Sequence, residues 1–329
     1  MCGICGIVRF SDGFALDRPL VERMRDTMVH RGPDDRGSWV SVDGRAAFGH
    51  RRLSIVDLSP AGRGPMSNED GTVWITYNGE VYNHAELRAG LEARGHVYRS
   101  DTDTETIVHL YEEEGPEALK RLRGMFALAI WDGRRGGELF LARDRIGIKP
   151  LYYSMQPGGI VFGSEIKSLL EHPALGAEMD RDAFADYLTF VSTPAPQTLF
   201  EGVLKLAPAE CARITPDGRI ESWRYWSPLE RAGLDDLSCA SDAELEEELI
   251  GLLRTSIERR MMADVPFGVL LSGGVDSSTN VALMSELMDR PVSTFSVAFA
   301  DHEQYNELGH ARRIAKQFGT DHHEVTIGE

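Results

Sequence analysis

The pattern of apolar and polar positions changes character part-way along the chain. Up to about residue 215 it consists mostly of short apolar runs bounded by turn residues. Residues 3–10 read as a buried strand, and 73–77 as a strand that stops at the turn pair Asn78-Gly79. Residues 125–131 form an apolar run between Gly124 and Asp132-Gly133, and 138–142 and 159–163 add two further strands. Helical spacing predicts helices over 20–28, 85–93 and 104–113. Locally pairing strands with helices added imply a layered α+β domain with antiparallel sheets.

Between residues 193 and 236 the composition shifts. Pro194, Pro196, Pro208, Pro216 and Pro228 fall here, a punctuation that ends the first domain and leads into a connector. A different pattern follows. Ser241 with Glu244 three residues later makes a capping box. Leu245, Leu249, Leu252, Leu253, Ile257 and Met261 then recur at spacings of three and four, an amphipathic helix. An apolar strand at 269–271, a helix reaching Met288, a strand at 292–299, a helix at 303–318 and a strand at 323–327 complete the series. Strand alternating with helix is the signature of a parallel sheet with crossovers. Doubly wound sheets usually carry roughly five or six strands, so this sheet is expected to be incomplete and the chain to be a truncated piece of a longer one. The expected division is 1–215, a connector at 216–237, and a second domain at 238–329.

Composition narrows the function classes. The 329 residues suit two domains, and 42% hydrophobic with 26% charged content is ordinary for a globular protein. A net charge of −17 argues against a nucleic-acid surface, which needs basic stripes, but leaves room for a small anion on a local loop. Cys2, Cys5, Cys211 and Cys239 fit neither a disulfide framework nor a paired zinc motif, which favours a reducing cytoplasm. No run approaches the ~20 apolar residues of a membrane span, and no signal peptide is expected. Adjacent His322 and His323 on a strand would face opposite ways, so no metal ligand set is expected there.

Two short segments carry chemistry. In Met1-Cys2-Gly3-Ile4-Cys5-Gly6, loss of Met1 would leave a thiol and a free α-amine on Cys2. Such an amine has a pKa of about 7.7–8.0, so it can serve as base for its own side chain. In Ser272-Gly273-Gly274-Val275-Asp276-Ser277-Ser278, a strand hands over to a helix. Two glycines permit close approach, three hydroxyls line the loop, and the helix points unpaired N–H groups at the same place, which together cradle an anion. The loop lacks the lysine of a Walker A motif, which suits a leaving pyrophosphate.

The first segment resembles the start of class II glutamine amidotransferases, which are N-terminal-nucleophile hydrolases. The second resembles the pyrophosphate loop of the ATP-pyrophosphatase superfamily. In this order the two resemble glutamine-hydrolysing asparagine synthetases of the bacterial B type. The runs His30-Arg31-Gly32-Pro33-Asp34, His50-Arg51-Arg52-Leu53-Ser54, Tyr77-Asn78-Gly79-Glu80-Val81, Ser100-Asp101-Thr102-Asp103-Thr104 and Arg143-Asp144-Arg145-Ile146-Gly147 extend the similarity along the chain. The resemblance implies an αββα sandwich followed by an incomplete parallel α/β ATP-pyrophosphatase domain. It implies that Cys2 attacks the glutamine amide and that Asn78 and the Gly79 N–H form an oxyanion hole. It also implies that Arg52 holds the glutamine α-carboxylate, and that Glu80 and Asp103 hold its ammonium. Read alone, Arg52 would be a solvated surface residue, and Asp103 the N-cap of a helix starting at Thr104. The resemblance further implies ATP with Mg²⁺ on Leu271, Ser272, Gly273, Gly274, Asp276, Ser277, Ser278 and Val297. Glutamine and aspartate would be the other substrates, and a homodimer the assembly. The rival readings are an amidotransferase acting on a peptide or polysaccharide carboxylate, a sugar-phosphate aminotransferase, a β-lactam-type synthetase, or a product kept only for glutaminase or a non-catalytic binding role.

Overall fold

The computed structural model describes residues 1–230, 240–300 and 306–328. The chain divides into two units, 1–231 and 232–329.

Strand β1 (Gly3–Arg9) sets the plan of the first unit. It is buried along nearly its whole length because both of its faces are covered. Ile4 and Val8 point into one apolar layer, and Cys5 and Ile7 into another. It lies inside a six-stranded antiparallel sheet with β2 (Asp35–Val40), β3 (Ala46–Arg52), β8 (Tyr152–Gln156), β9 (Gly159–Gly163) and β10 (Leu204–Lys205), in the order β10-β8-β9-β1-β3-β2. A second antiparallel sheet has the order β12-β11-β7-β6-β5-β4. It is built from β4 (Met66–Ser67), β5 (Val73–Val81), β6 (Gly124–Asp132), β7 (Glu138–Arg143), β11 (Glu210–Ile214) and β12 (Ile220–Arg224). Alternation along β6 mirrors that of β1: Ala127, Ala129 and Trp131 join the inter-sheet layer, while Phe126, Leu128 and Ile130 face the helices.

Helix α1 (Arg18–Asp26) covers the first sheet through Leu20, Val21 and Met24. Helices α2 (His84–Glu92) and α3 (Asp103–Glu114) cover the second through Leu87, Leu91, Ile107 and Leu110, and α4 (Ala118–Arg121), α5 (Ile166–Leu169) and α6 (Arg181–Phe190) are the unit's remaining described helices. The result is an αββα sandwich with three apolar layers. Gly6 makes room for its cross-strand neighbours in β9 and β3, since a Cβ there would lie 2.3 Å from the Phe162 ring and 2.8 Å from that of Phe48.

Several expectations are corrected. Asn78-Gly79 is not a turn: β5 runs through it and pairs Asn78 with Ala127 and Gly79 with Phe126. Pairing with a distant strand overrides the local turn preference, and two glycines make the contact close. A Cβ on Gly79 would sit 2.3 Å from the Met125 carbonyl oxygen, and one on Gly124 2.1 Å from that of Glu80. Asp103 is the first residue of α3, and its N-cap is Thr102. The stretch read as a connector, 216–237, supplies β12 to the second sheet, because Cys211 to Ile214 of β11 still have an open edge to pair. Residues 231–239 of that stretch, with Cys239, lie outside the described residues.

In the second unit, β13 (Val269–Leu270), β14 (Ser293–Phe299) and β15 (Asp321–Ile327) form a parallel sheet in that order. Helix α7 (Asp242–Arg260) starts at the capping box, with Ser241 N–H donating to Glu244 Oε2 at 2.8 Å. Helices α8 (Val275–Leu287) and α9 (Leu308–Phe318) are the crossovers. Leu271, Val281, Ala311 and Ala315 form one small core, and Ile257, Leu283, Met284 and Val292 another. The start of the helix expected at 303 falls in 301–305, outside the described residues. Among the described residues, no helix is long and apolar enough to cross a membrane.

Candidate active site

The register of the first sheet builds the site. Pairing of Gly3 with Arg51 sets Cys2 beside the end of β3. Leu53 N–H then lies 3.4 Å from Cys2 Sγ, and the Leu53 carbonyl accepts from the thiol at 3.7 Å. Burial pushes the thiol pKa up. The backbone here is held from outside: Arg31 Nε donates to the Cys2 carbonyl at 2.9 Å, and Arg31 Nη1 to Glu165 Oε1 at 3.1 Å. The Met1 ammonium donates to the Arg31 carbonyl, and its pKa is lowered by burial. In the sequence Arg31 belongs to a motif that assigns it no role. Its position against Cys2 depends on a pairing across the chain.

Cys2, Arg52, Gly79, Glu80 and Asp103 line one pocket, about 370 Å³ of empty space including its open mouth. Arg52 is buried, unlike the solvated residue its basic neighbours suggest. Its guanidinium donates to the carbonyls of Ser59 at 2.9 Å and Val56 at 3.1 Å, and to that of Asp57. These neutral acceptors lock the fork without neutralising it, so the pocket keeps a cation suited to a carboxylate.

Opposite charge is held by two carboxyls. Asp103 is deeply buried; Oδ2 accepts from Tyr77 Oη at 2.6 Å and from Val81 N–H at 2.7 Å. Burial raises its pKa, and those two bonds oppose the rise. The Glu80 pKa is pushed up to about 8, by burial first and by Asp103 second. Glu80 Oε1 is buried with no hydrogen-bond partner. A cation set against two such carboxyls would favour their ionised forms. His50, on the same pocket wall, bonds through Nε2 to the Tyr77 carbonyl at 3.0 Å, and burial drives its pKa down to about 4, so it stays neutral. In the sequence Tyr77 and His50 stand in the quoted runs with no role of their own; a hydrophobic strand position and a basic run hide what they do.

Asn78 is fully buried in β5 between pocket residues, and neither its amide nitrogen nor its amide oxygen has a partner. Leaving a buried polar group unsatisfied costs about 1–3 kcal/mol. Such a residue in a sheet interior points to a role with a ligand.

A pH effect follows from Glu80. Below pH 8 the carboxyl is largely neutral, and a bound ammonium requires its anion. The KM for any substrate that presents an ammonium to these carboxyls should therefore fall as pH rises from 6 to 8 and level off above that. Glu80→Gln should flatten this profile and raise KM roughly 10–100-fold at pH 8, the scale of a lost charged hydrogen bond. Steady-state kinetics across that range check it, and an unchanged profile in the variant refutes it.

In the second unit, the run from Ser272 to Ser278 carries the chain from the end of β13 into the first turn of α8. Gly273 has φ +86°, and a Cβ there would lie 2.6 Å from the backbone carbon of His310. Gly274 is the N-cap of α8, and its N–H donates to Ser272 Oγ at 3.3 Å. Ser272 and Ser277 hydroxyls are 3.0 Å apart, and Ser278 Oγ is buried with no partner. Asp276 sits exposed in the first turn. Leu271, Ser272 and Val297 border a groove of about 630 Å³, its open side included. His322 and His323 take separate partners, Thr294 Oγ1 at 2.9 Å and Asp321 Oδ2 at 3.1 Å.

An αββα sandwich with a cysteine just before its central strand, lining a carboxyl-and-guanidinium pocket, has the build of the N-terminal-nucleophile hydrolases. Residues 1–226 match the glutamine amidotransferase domain model, and 248–329 match the asparagine synthase model. The chain belongs to the glutamine amidotransferase family. It is 34% identical to asparagine synthetase [glutamine-hydrolyzing] 3 of Bacillus subtilis, over 100% of this chain and 55% of that protein. It is 38% identical to asparagine synthetase [glutamine-hydrolyzing] 1 of the same organism, over 98% of this chain and 49% of that protein. The chain thus spans about half the length of these relatives. Among solved structures it is similar in fold to the glutamine phosphoribosylpyrophosphate amidotransferase of B. subtilis, with a TM-score of 0.51 and 16% identity, covering 98% of this chain and 65% of that one.

Proposed function

We propose that the first unit hydrolyses glutamine with Cys2 as nucleophile, and that the ammonia serves synthesis of an amide. The observation that carries this reading is the partnerless amide of buried Asn78 beside a cysteine-lined pocket holding two carboxyls and one guanidinium. Arg52 would take the glutamine α-carboxylate, and Glu80 with Asp103 its ammonium. Cys2 Sγ would then attack the side-chain amide carbon, with its own α-amine, freed by loss of Met1, accepting the thiol proton. Asn78 Nδ2 and the Gly79 N–H would hold the developing oxyanion. The amine would pass the proton to departing ammonia, and water would release glutamate from the thioester. Neutral His50 would add no competing cation to the pocket. A reducing cytoplasm would keep the thiol free.

For the second unit, Ser272, Gly273, Gly274, Ser277 and Ser278 would hold ATP phosphates, with Leu271 and Val297 at the adenine. The unpartnered Ser278 hydroxyl and the positive φ of Gly273 fit a phosphate against the backbone. The Asp276 carboxylate at the same helix end would help hold the Mg²⁺ that screens the phosphates. The activity proposed for the whole protein is asparagine synthesis. The β-carboxylate of aspartate would become an adenylate with release of pyrophosphate, and ammonia would displace AMP. Aspartate as acceptor rests on the names of the relatives.

Intact-mass analysis and a glutamate-release assay on the purified chain test the first step together. Loss of Met1 with steady release of glutamate and ammonia is the expected result. An intact Met1 on protein that still hydrolyses glutamine, or a processed chain that releases none, refutes it.

A further inference from the structure

Away from the glutamine pocket, the helix-covered side of the second sheet gathers a second polar cluster. Glu69 follows β4, His96 lies in the segment after α2, and His109 and Glu112 stand one turn apart on α3. Each of the four brings a ligand atom to within 4.8 Å of the others. Residues three apart on a helix share a face, so the last two form one half of the cluster without strain.

The two rings are presented in the same way. His96 Nδ1 is 3.0 Å from Glu69 Oε1, and His109 Nδ1 is 3.2 Å from Glu69 Oε2. The remaining nitrogens face further carboxylates: His96 Nε2 lies 3.2 Å from Glu113 Oε1, and His109 Nε2 3.8 Å from Glu105 Oε1. A carboxylate behind the second nitrogen is what orients a metal-ligating histidine and raises its basicity. His109 is only 1% exposed, its ring nitrogens meet carboxylates only in the ion pairs above with no well-aligned hydrogen bond, and Glu112 Oε2 is buried without a partner. A buried ring and a buried carboxylate left unsatisfied side by side are costly, and a cation between them removes that cost. Glu69 is exposed, which leaves an entry path from solvent.

We propose that Glu69, His96, His109 and Glu112 form a site for one divalent transition cation, with Zn²⁺ the best match to two imidazoles and two carboxylates. The two-nitrogen, two-oxygen donor set excludes a calcium-type oxygen cage. Four protein ligands make it a closed structural site. Tetrahedral donors around Zn²⁺ stand about 3.4 Å apart, so donor separations of up to 4.8 Å would shorten by up to about 1.4 Å on loading. The loop residues Glu69 and His96 are the ones free to close in on α3. The filled site would pin the β4–β5 turn and the segment before α3 to that helix. Glu105, behind His109, already accepts the N–H groups of Arg99 and Ser100 at 2.8 and 2.7 Å. The cation would thereby stiffen the loop that leads to Asp103.

Titration of the untagged chain with Co²⁺ alone should give tetrahedral d–d absorption that saturates at one equivalent and is displaced by Zn²⁺. Zn²⁺ should raise the melting temperature, and a chelator should reverse the rise. His96→Gln and Glu112→Gln, neither deeply buried, should each weaken Co²⁺ binding at least about tenfold while the unfolding transition of the metal-free protein stays cooperative. Cys2→Ala should bind as tightly as the parent. Absence of a one-equivalent Co²⁺ signal, equal affinity in both ligand variants, or loss of binding in Cys2→Ala overturns the proposal.

Discussion

Replacing Cys2 with alanine should abolish glutamine hydrolysis, a loss on the order of 10⁴–10⁶-fold in kcat, the scale seen when a nucleophile is removed from an otherwise intact site. No other described thiol can substitute. Cys5 is fully buried on the α1 side of the first sheet, and burial pushes its pKa to about 12. Cys211 belongs to the helix-side layer of the second sheet, with its pKa likewise pushed to about 12. The variant should keep its thermal stability, because Cys2 Sγ contributes only two long contacts to Leu53 and belongs to none of the apolar layers. Glutamate release measured beside a melting curve checks both halves. A Cys2→Ala protein that hydrolyses glutamine within tenfold of the parent rate would remove the nucleophile from the mechanism.

Asn78→Ala should lower kcat by ~10²–10³ with a much smaller change in KM, as expected for a donor that acts mainly in the transition state. Stability should move the other way. The amide of Asn78 is buried with both polar atoms unsatisfied, so its deletion relieves a desolvation cost even as it opens a small void. A melting temperature unchanged or raised, together with a collapsed kcat, separates this role from a structural one. An asparagine kept for packing or hydrogen bonding would show the reverse, with stability lost and kcat preserved. Asn78→Asp should be at least as damaging, because an anion would face the developing negative charge.

Much of the fold could be read from local pattern where both faces of an element are covered. The apolar runs that became β1, β6, β7 and β9 announce themselves, since antiparallel strands packed on both sides lose their polar alternation. The capping box before α7 and the glycine-serine loop before α8 are short-range signals, and both formed where the pattern put them. Strand β3 is the instructive failure. It ends in His50-Arg51-Arg52, a polar run, yet every residue of it is buried. Arg51 meets Asp26 at 2.6 Å and Arg52 meets three backbone carbonyls, partners supplied by α1 and by the following loop. The Asp26 partner lies 25 residues away, and the loop that serves Arg52 is close in sequence but takes its shape only in the folded chain. The metal cluster escaped for the same reason: its four residues span positions 69 to 112 and share no motif spacing.

The sequence by itself determined the order of the two units, the cysteine poised at the start and the phosphate-type loop. Each rests on contacts within about ten residues, where backbone conformation and side-chain type decide the outcome. Tertiary structure alone decided that Asn78-Gly79 continues a strand, that two carboxyls crowd against one another, and that Arg52 is buried with its charge in hand. Those outcomes depend on which distant strand pairs with which, and on how much water the packed layers exclude. Burial sets the energy of a charge far more strongly than the identity of its neighbours in sequence.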